Sequence, residues 1–358
     1  MHYIYFIHGI GKHSENWIED EDMETTLKDK IKEVCGLYSS LKTDNTEVFD
    51  KLQLVPVHYD DVYSKLYNNW ADQVKTLKEH MASAELTHPD IENLLEHAGD
   101  FQQGDEDFLY THLYDVLWFW ANDSIRGKIV THVADQIFSH IKDHYEDASN
   151  SFSIVAHSMG TAVIHQVLQD LYTDQKYFPN LSSAFKFKLF MQVSNTSYVL
   201  SRDRRKHYDT VVKPSVYADA GVCRYMVNVS HKYDPISGLI PFEPELDSWL
   251  DDASSDPSLK VYTDIQTSKL SNSNIHSIVH YFDNPKVQWA FLESVLAPNI
   301  TEEEKAKAWQ NFVAKTPDGQ FKAVKRAYKK MMADTNIDSI ASFFKTGQKL
   351  VKYIKSFS

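Results

Sequence analysis

Four short segments of the chain carry side chains suited to acyl chemistry. The first is Ala156-His157-Ser158-Met159-Gly160, which follows the apolar run Phe152-Ser153-Ile154-Val155 and opens the helical pattern Thr161–Leu168. A serine on a sharp strand-to-helix turn stands exposed above a sheet, with the free N–H groups of the helix behind it. Such a turn strains the serine and crowds its neighbours two positions away, and Ala156 and Gly160 are both small. The second segment, His8-Gly9-Ile10-Gly11, ends an early apolar run. Its glycines let a backbone amide come close to a reacting carbonyl, so the N–H groups of Ile10 and Met159 are the expected pair of oxyanion donors.

The other two segments could supply an acid and a base. Asp234-Pro235 follows the run Arg224–Val229, and a carboxylate there can accept a hydrogen bond from an imidazole Nδ1–H. Asp-Pro is also ordinary turn chemistry, and Asp264 after the next run competes for the role. For the base, His276 falls between that run and a helix starting near Pro285, and His280 four residues on is its rival. In chain order the serine comes first, then the acid, then the histidine, each just after an expected strand.

These residues need a scaffold, and the pattern around them predicts one. Strands are expected at His2–His8, Leu52–Tyr59, Ser151–Ala156, Phe185–Val193, Arg224–Val229 and Leu259–Thr263. They alternate with amphipathic stretches, and several are apolar on both faces, which predicts an α/β fold with a mostly parallel sheet covered by helices. A long helical insertion, about residues 60–148, separates the second strand from the third. It holds the patterns Val62–Met81 and Phe108–His144, with a polar loop around His97 to Asp107, and is long enough to serve as a lid. Within it, Trp118-Phe119-Trp120 reads first as core and second as the wall of an acyl pocket. The simplest parse is a catalytic domain over residues 1–299 and a helical basic extension over residues 300–358, with helical patterns at Lys286–Leu296, Thr301–Val313 and Gln320–Phe357.

The order His-Gly-Ile-Gly, then Ala-His-Ser-Met-Gly, resembles the lipase and esterase branch of the α/β-hydrolases, a branch that includes the DDHD-type phospholipases. Asn228-Val229-Ser230-His231-Lys232-Tyr233-Asp234-Pro235-Ile236 is similar to that branch's segment bearing the acid, and His276-Ser277 followed by Tyr281 and Asn284-Pro285-Lys286-Val287 to its histidine segment. The resemblance spans roughly residues 1 to 295 and favours Asp234 over Asp264 and His276 over His280. It implies an α/β-hydrolase fold and hydrolysis of carboxylic esters, lipid esters foremost, by Ser158, Asp234 and His276. Acyl transfer on the same residues and non-catalytic binding of an acyl ligand are the alternatives. Where relatives carry Gly-Ser-Pro after the fourth strand, this chain has Val193-Ser194-Asn195.

Composition narrows the remaining classes. The 358 residues carry a formal charge of −13, which argues against a nucleic-acid partner. The charge is uneven: from Phe321 onward nine Lys or Arg face two Asp, a net of +7 that leaves −20 for the rest. Ile337, Ile340, Phe344, Val351 and Ile354 fall at helical spacing among lysines, so the tail could pack on the acidic body or touch anionic lipid as a peripheral membrane contact. Neither a His-Glu-x-x-His pair, nor a Cys pair, nor a phosphate-binding glycine loop occurs, so no metal and no cofactor are expected. The first expected strand starts at residue 2 and the chain holds only two cysteines, from which a cytoplasmic protein is expected.

Overall fold

Six runs rich in β-branched and aromatic residues form parallel strands: β1 (His2–Ile7), β2 (Leu52–Val57), β3 (Ser151–His157), β4 (Phe187–Val193), β5 (Cys223–His231) and β6 (Tyr262–Thr267). They make one sheet in the order β2-β1-β3-β4-β5-β6 in a computed structural model. The structure describes residues 1–9, 13–20, 25–41, 48–67, 70–84, 108–173, 185–218, 220–234, 237–238, 241–246, 249, 260–271, 275–296, 300–316 and four positions between 322 and 329. Ile10, the polar loop near residues 97–107 and the basic tail beyond residue 330 lie outside the described residues.

Strand β1 shows why the sheet is buried on both sides. All six of its residues are buried, and they alternate between two cores. Tyr3, Tyr5 and Ile7 face one core, while Ile4 and Phe6 face the other. The first core is closed by α3 (Trp70–Ser83), α4 (Phe108–Ala121), α5 (Asp123–His144) and α6 (Met159–Thr173), with Tyr63 of α2 (Asp60–Tyr67). The second is closed by α1 (Leu27–Gly36), α7 (Ile278–Phe282) and α8 (Pro285–Leu296), against which α9 (Glu302–Lys315) packs. On α5 the residues Ile129, Val133, Ile137 and Ile141 form a fully buried stripe one turn apart, and burying each such side chain contributes about 1.5–3 kcal/mol.

The strand order reverses between β1 and β3. From β1 the chain passes to the neighbour on one side and then crosses to the other side to form β3. In open parallel sheets a crevice opens at such a point beyond the carboxyl ends of the strands. The register pairs Ile7 with Ala156 and Val193 with His157, so the residues that follow β1, β3 and β4 leave the sheet side by side.

Two expected elements differ from the structure. The last strand runs Tyr262–Thr267 rather than Leu259–Thr263, which places Asp264 inside it, paired with Asn228. Strand β6 lies at the edge of the sheet with alternating burial, so Asp264 and Gln266 fit a half-exposed ladder that an apolar run does not reveal. The pattern Phe108–His144 is two helices. Asn122 breaks it and caps α5 by accepting a hydrogen bond from Ile125 N at 3.0 Å. Arg202, in the link from β4 to β5, closes the other side of the break by donating to the carbonyls of Trp120 and Ala121, each at 2.9 Å. Trp118 and Phe119 are buried in the first core and Trp120 packs against it, as the core reading of that cluster holds. No helix among the described residues is long and apolar enough to cross a membrane.

Candidate active site

Strand β3 ends at His157, and Ser158 follows it in a left-handed conformation with φ 53°. That backbone costs a non-glycine residue about 1–3 kcal/mol and persists only where its surroundings hold it. Here they do. Ser158 N–H donates to Val193 O at 2.9 Å, and Ser158 O accepts from Thr161 N, Thr161 Oγ1 and Thr196 Oγ1 at 2.9, 2.7 and 2.9 Å. The turn is also packed to the limit. A Cβ on Gly9 would lie 2.7 Å from Ser158 Cβ, and one on Gly160 would collide with the His8 carbonyl oxygen. The small residue demanded after the serine is therefore set by β1, against which the turn closes. Contrary to expectation, Ser158 does not stand exposed: it is 2% accessible, enclosed by Gly9 and by His276.

His276 approaches from the segment before α7. Its Nε2 lies 2.8 Å from Ser158 Oγ, and its Nδ1 lies 2.9 Å from Asp234 Oδ2 and 3.1 Å from Oδ1. A carboxylate can only accept, so Nδ1 carries the proton and Nε2 offers its lone pair to the serine hydroxyl. Asp234 is fully buried in the turn after β5. Its carboxylate accepts further bonds from Tyr281 O–H at 2.6 Å and Ser237 N–H at 3.2 Å, which offset the cost of burying the charge. Gly238 donates its N–H to Asp234 O at 3.1 Å, and a Cβ there would meet that oxygen at 2.6 Å, so the turn needs glycine. His157 completes the frame. Its Nε2–H donates to His276 O at 2.7 Å, and burial, reinforced by the neighbouring His276, pushes it down to about 3, so it stays neutral.

The rivals sit elsewhere. Asp264 accepts a bond from Asn228 Nδ2 at 2.7 Å, and burial raises its carboxyl. His280 is buried on α7, with Nδ1 2.8 Å from Ser271 Oγ. Of the expected oxyanion donors, Met159 is fully buried at the first position of α6, directly after the serine, and Ile10 lies outside the described residues. Sequence reasoning assigned nothing to Tyr281, Ser194 or His157. Tyr281 stood in the His-Ser-x-x-x-Tyr phrase, five positions beyond His276, and one turn of helix is what returns its hydroxyl to Asp234.

Histidine and aspartate side chains also gather beside the site, where their spacing along the chain showed no metal signature. One group is His8, His13 and Asp60, and the other is His58, Asp61 and His132. In the first, His8 Nδ1–H donates to Gly9 O at 2.6 Å while Nε2 accepts from Tyr59 N at 3.2 Å. Both ring nitrogens serve the backbone, and burial holds His8 well below its ordinary range, as a neutral strut beneath the glycine that touches Ser158.

No family model and no curated protein matches this chain.

Proposed function

We propose that the chain is a serine hydrolase of the α/β-hydrolase fold that cleaves carboxylic esters. The observation that carries this reading is the continuous hydrogen-bonded path Ser158 Oγ–His276 Nε2 and His276 Nδ1–Asp234 Oδ2, at 2.8 and 2.9 Å. Ser158 directly follows β3, Asp234 lies in the turn after β5 and His276 in the segment between β6 and α7, in the chain order serine, acid, base that this fold uses. In the proposed reaction His276 takes the Ser158 proton as Oγ attacks the ester carbonyl, and Asp234 stabilises the imidazolium. The Met159 amide, with that of Ile10, receives the oxyanion. His276 then protonates the departing alcohol, and a water activated by the same nitrogen opens the acyl-enzyme. The resemblance to lipases and esterases puts lipid esters first among substrates. The buried thiols Cys35 and Cys223 are both free, which suits the cytoplasmic location that belongs to the same reading.

The test is covalent labelling with a fluorophosphonate on the full chain. The native protein is expected to label and to hydrolyse a short p-nitrophenyl ester, and Ser158→Ala to do neither, with kcat down by about three orders of magnitude or more. Labelling that persists in Ser158→Ala overturns the proposal.

A further inference from the structure

We infer that His58, Asp61 and His132 bind one divalent transition-metal ion of the zinc class, at the C-terminal end of β2 and independently of the hydrolase reading. The three side chains come from three elements: His58 follows β2, Asp61 lies in the first turn of α2, and His132 is on α5. One ligand atom from each falls within 4.8 Å of the others.

The closest pair has the spacing a metal requires. His132 Nε2 and Asp61 Oδ1 are 3.3 Å apart. Two ligands bound tetrahedrally at about 2.0–2.1 Å from zinc are separated by about 3.3–3.4 Å. His132 Nε2 is shut off from solvent and makes no hydrogen bond among the described residues. At that separation the pair either shares a proton, with Nε2–H pointing at the carboxylate, or holds a cation between the nitrogen and the oxygen.

The scaffold fixes two ligands in advance. Gln136, one turn beyond His132 on α5, donates Nε2–H to His58 O at 2.7 Å and accepts from His58 N at 3.2 Å. The His58 and His132 rings stand edge to face, with centroids 5.7 Å apart at 69°. Two imidazoles and one carboxylate suit zinc, cobalt, nickel or copper, whereas calcium and magnesium take oxygen ligands. The neighbouring group cannot compete, because His8 has spent both ring nitrogens on backbone.

An ion here ties β2 to α2 and α5. It also steadies His13, since Asp60, next to Asp61, accepts a hydrogen bond from His13 N at 2.5 Å.

The experiment is calorimetric titration of chelator-treated full-length protein with zinc chloride, alongside thermal melts. One saturable equivalent is expected, with a melting midpoint higher by about 4 °C at a hundredfold excess over Kd. Magnesium and calcium are expected to bind no saturable equivalent. Asp61→Asn and His132→Gln are each expected to weaken binding by more than the about 10–100-fold that outer partners of a metal cost, and His13→Gln to retain it. Cobalt added to the native chain reads the geometry without any variant, and an intense visible band marks a four-coordinate His-His-Asp site. Absence of a saturable equivalent overturns the inference. So does zinc binding unchanged in both Asp61→Asn and His132→Gln, or a native midpoint that zinc does not move, the behaviour of a plain His132–Asp61 ion pair.

Discussion

Tyr281→Phe removes one oxygen from the wall of the site, and its effect follows from the geometry. The hydroxyl donates to Asp234 Oδ2 at 2.6 Å, with Tyr281 1% and Asp234 0% accessible, so water cannot replace the lost bond. The phenylalanine ring keeps the same slot and opens no cavity. A hydrogen bond to a charged group contributes about 1.5–3 kcal/mol, and the mid-range value of about 2 kcal/mol lowers the melting midpoint of a chain this long by about 3 °C. For turnover two effects oppose each other. With one donor fewer, the carboxylate becomes a stronger acceptor for the imidazolium. It also loses the donor that fixes its rotation, and misplacement by about 1 Å costs on the order of a hundredfold in rate. Asp234 keeps its bonds from His276 and Ser237, so its displacement is partial, and kcat is expected to fall about tenfold, or about 1.4 kcal/mol. KM stays constant, because Tyr281 reaches the substrate only through Asp234 and His276. Steady-state hydrolysis of a short soluble ester and a thermal melt read the two quantities separately. A kcat within twofold of native beside a loss of about 3 °C would show the bond to be structural only, and an unmoved midpoint would refute the burial argument itself.

Asp234→Asn is expected to lower kcat by about 10⁴ because an amide no longer fixes the histidine tautomer, while Asp264→Asn leaves the rate within about twofold; equal losses would undo the assignment of the acid. Two glycine substitutions should move stability in opposite directions in urea melts. Gly160→Ala forces a Cβ onto the His8 carbonyl and is expected to cost at least about 1–3 kcal/mol, whereas Gly127→Ala on α5 meets open space and is expected to gain about 0.5–1 kcal/mol. A loss at Gly127 or neutrality at Gly160 would contradict the packing. Stability is also expected to fall with acid. Burial pushes His207 and His231 each down to about 4, below the ordinary 6.5 of the unfolded chain. Between those values the unfolded state binds the extra proton, so stability declines as pH drops, by up to about 1.4 kcal/mol per pH unit for each histidine. A melting midpoint that stays flat from pH 7 to pH 5 would show that these rings are not neutral in the fold.

Much of this architecture was legible in the chain because it is written in local pattern. The continuous apolar run of β1, the strand and helix on either side of Ser158, and the small residues at Ala156 and Gly160 all declare themselves within a few positions. The pattern sets the last strand at Leu259–Thr263, three residues early at its start and four at its end, because an edge ladder accepts Asp264 and Gln266 where a central strand would not. Partnerships formed across the chain left no such trace. Arg202 closing α4, Tyr281 serving Asp234, and His58 meeting His132 depend on how helices dock after they form.

Under the proposed hydrolase reading, one such partnership decides which serine would act. The register that pairs His157 with Val193 sends two serines off the sheet together, and both are left-handed, Ser158 with φ 53° and Ser194 with φ 52°. Each gives its N–H to the next strand over, Ser158 to Val193 O and Ser194 to Val229 O. Both hydroxyls lie near His276, Ser158 Oγ at 2.8 Å and Ser194 Oγ at 3.2 Å. Ser194, however, faces Nδ1, whose proton is committed to the Asp234 carboxylate, and a protonated nitrogen cannot take another proton. Only Ser158 meets the lone pair on Nε2. Backbone strain marks the two residues alike, and the carboxylate on the far side of the imidazole is what would make Ser158 the nucleophile of the proposed hydrolase and leave Ser194 a support.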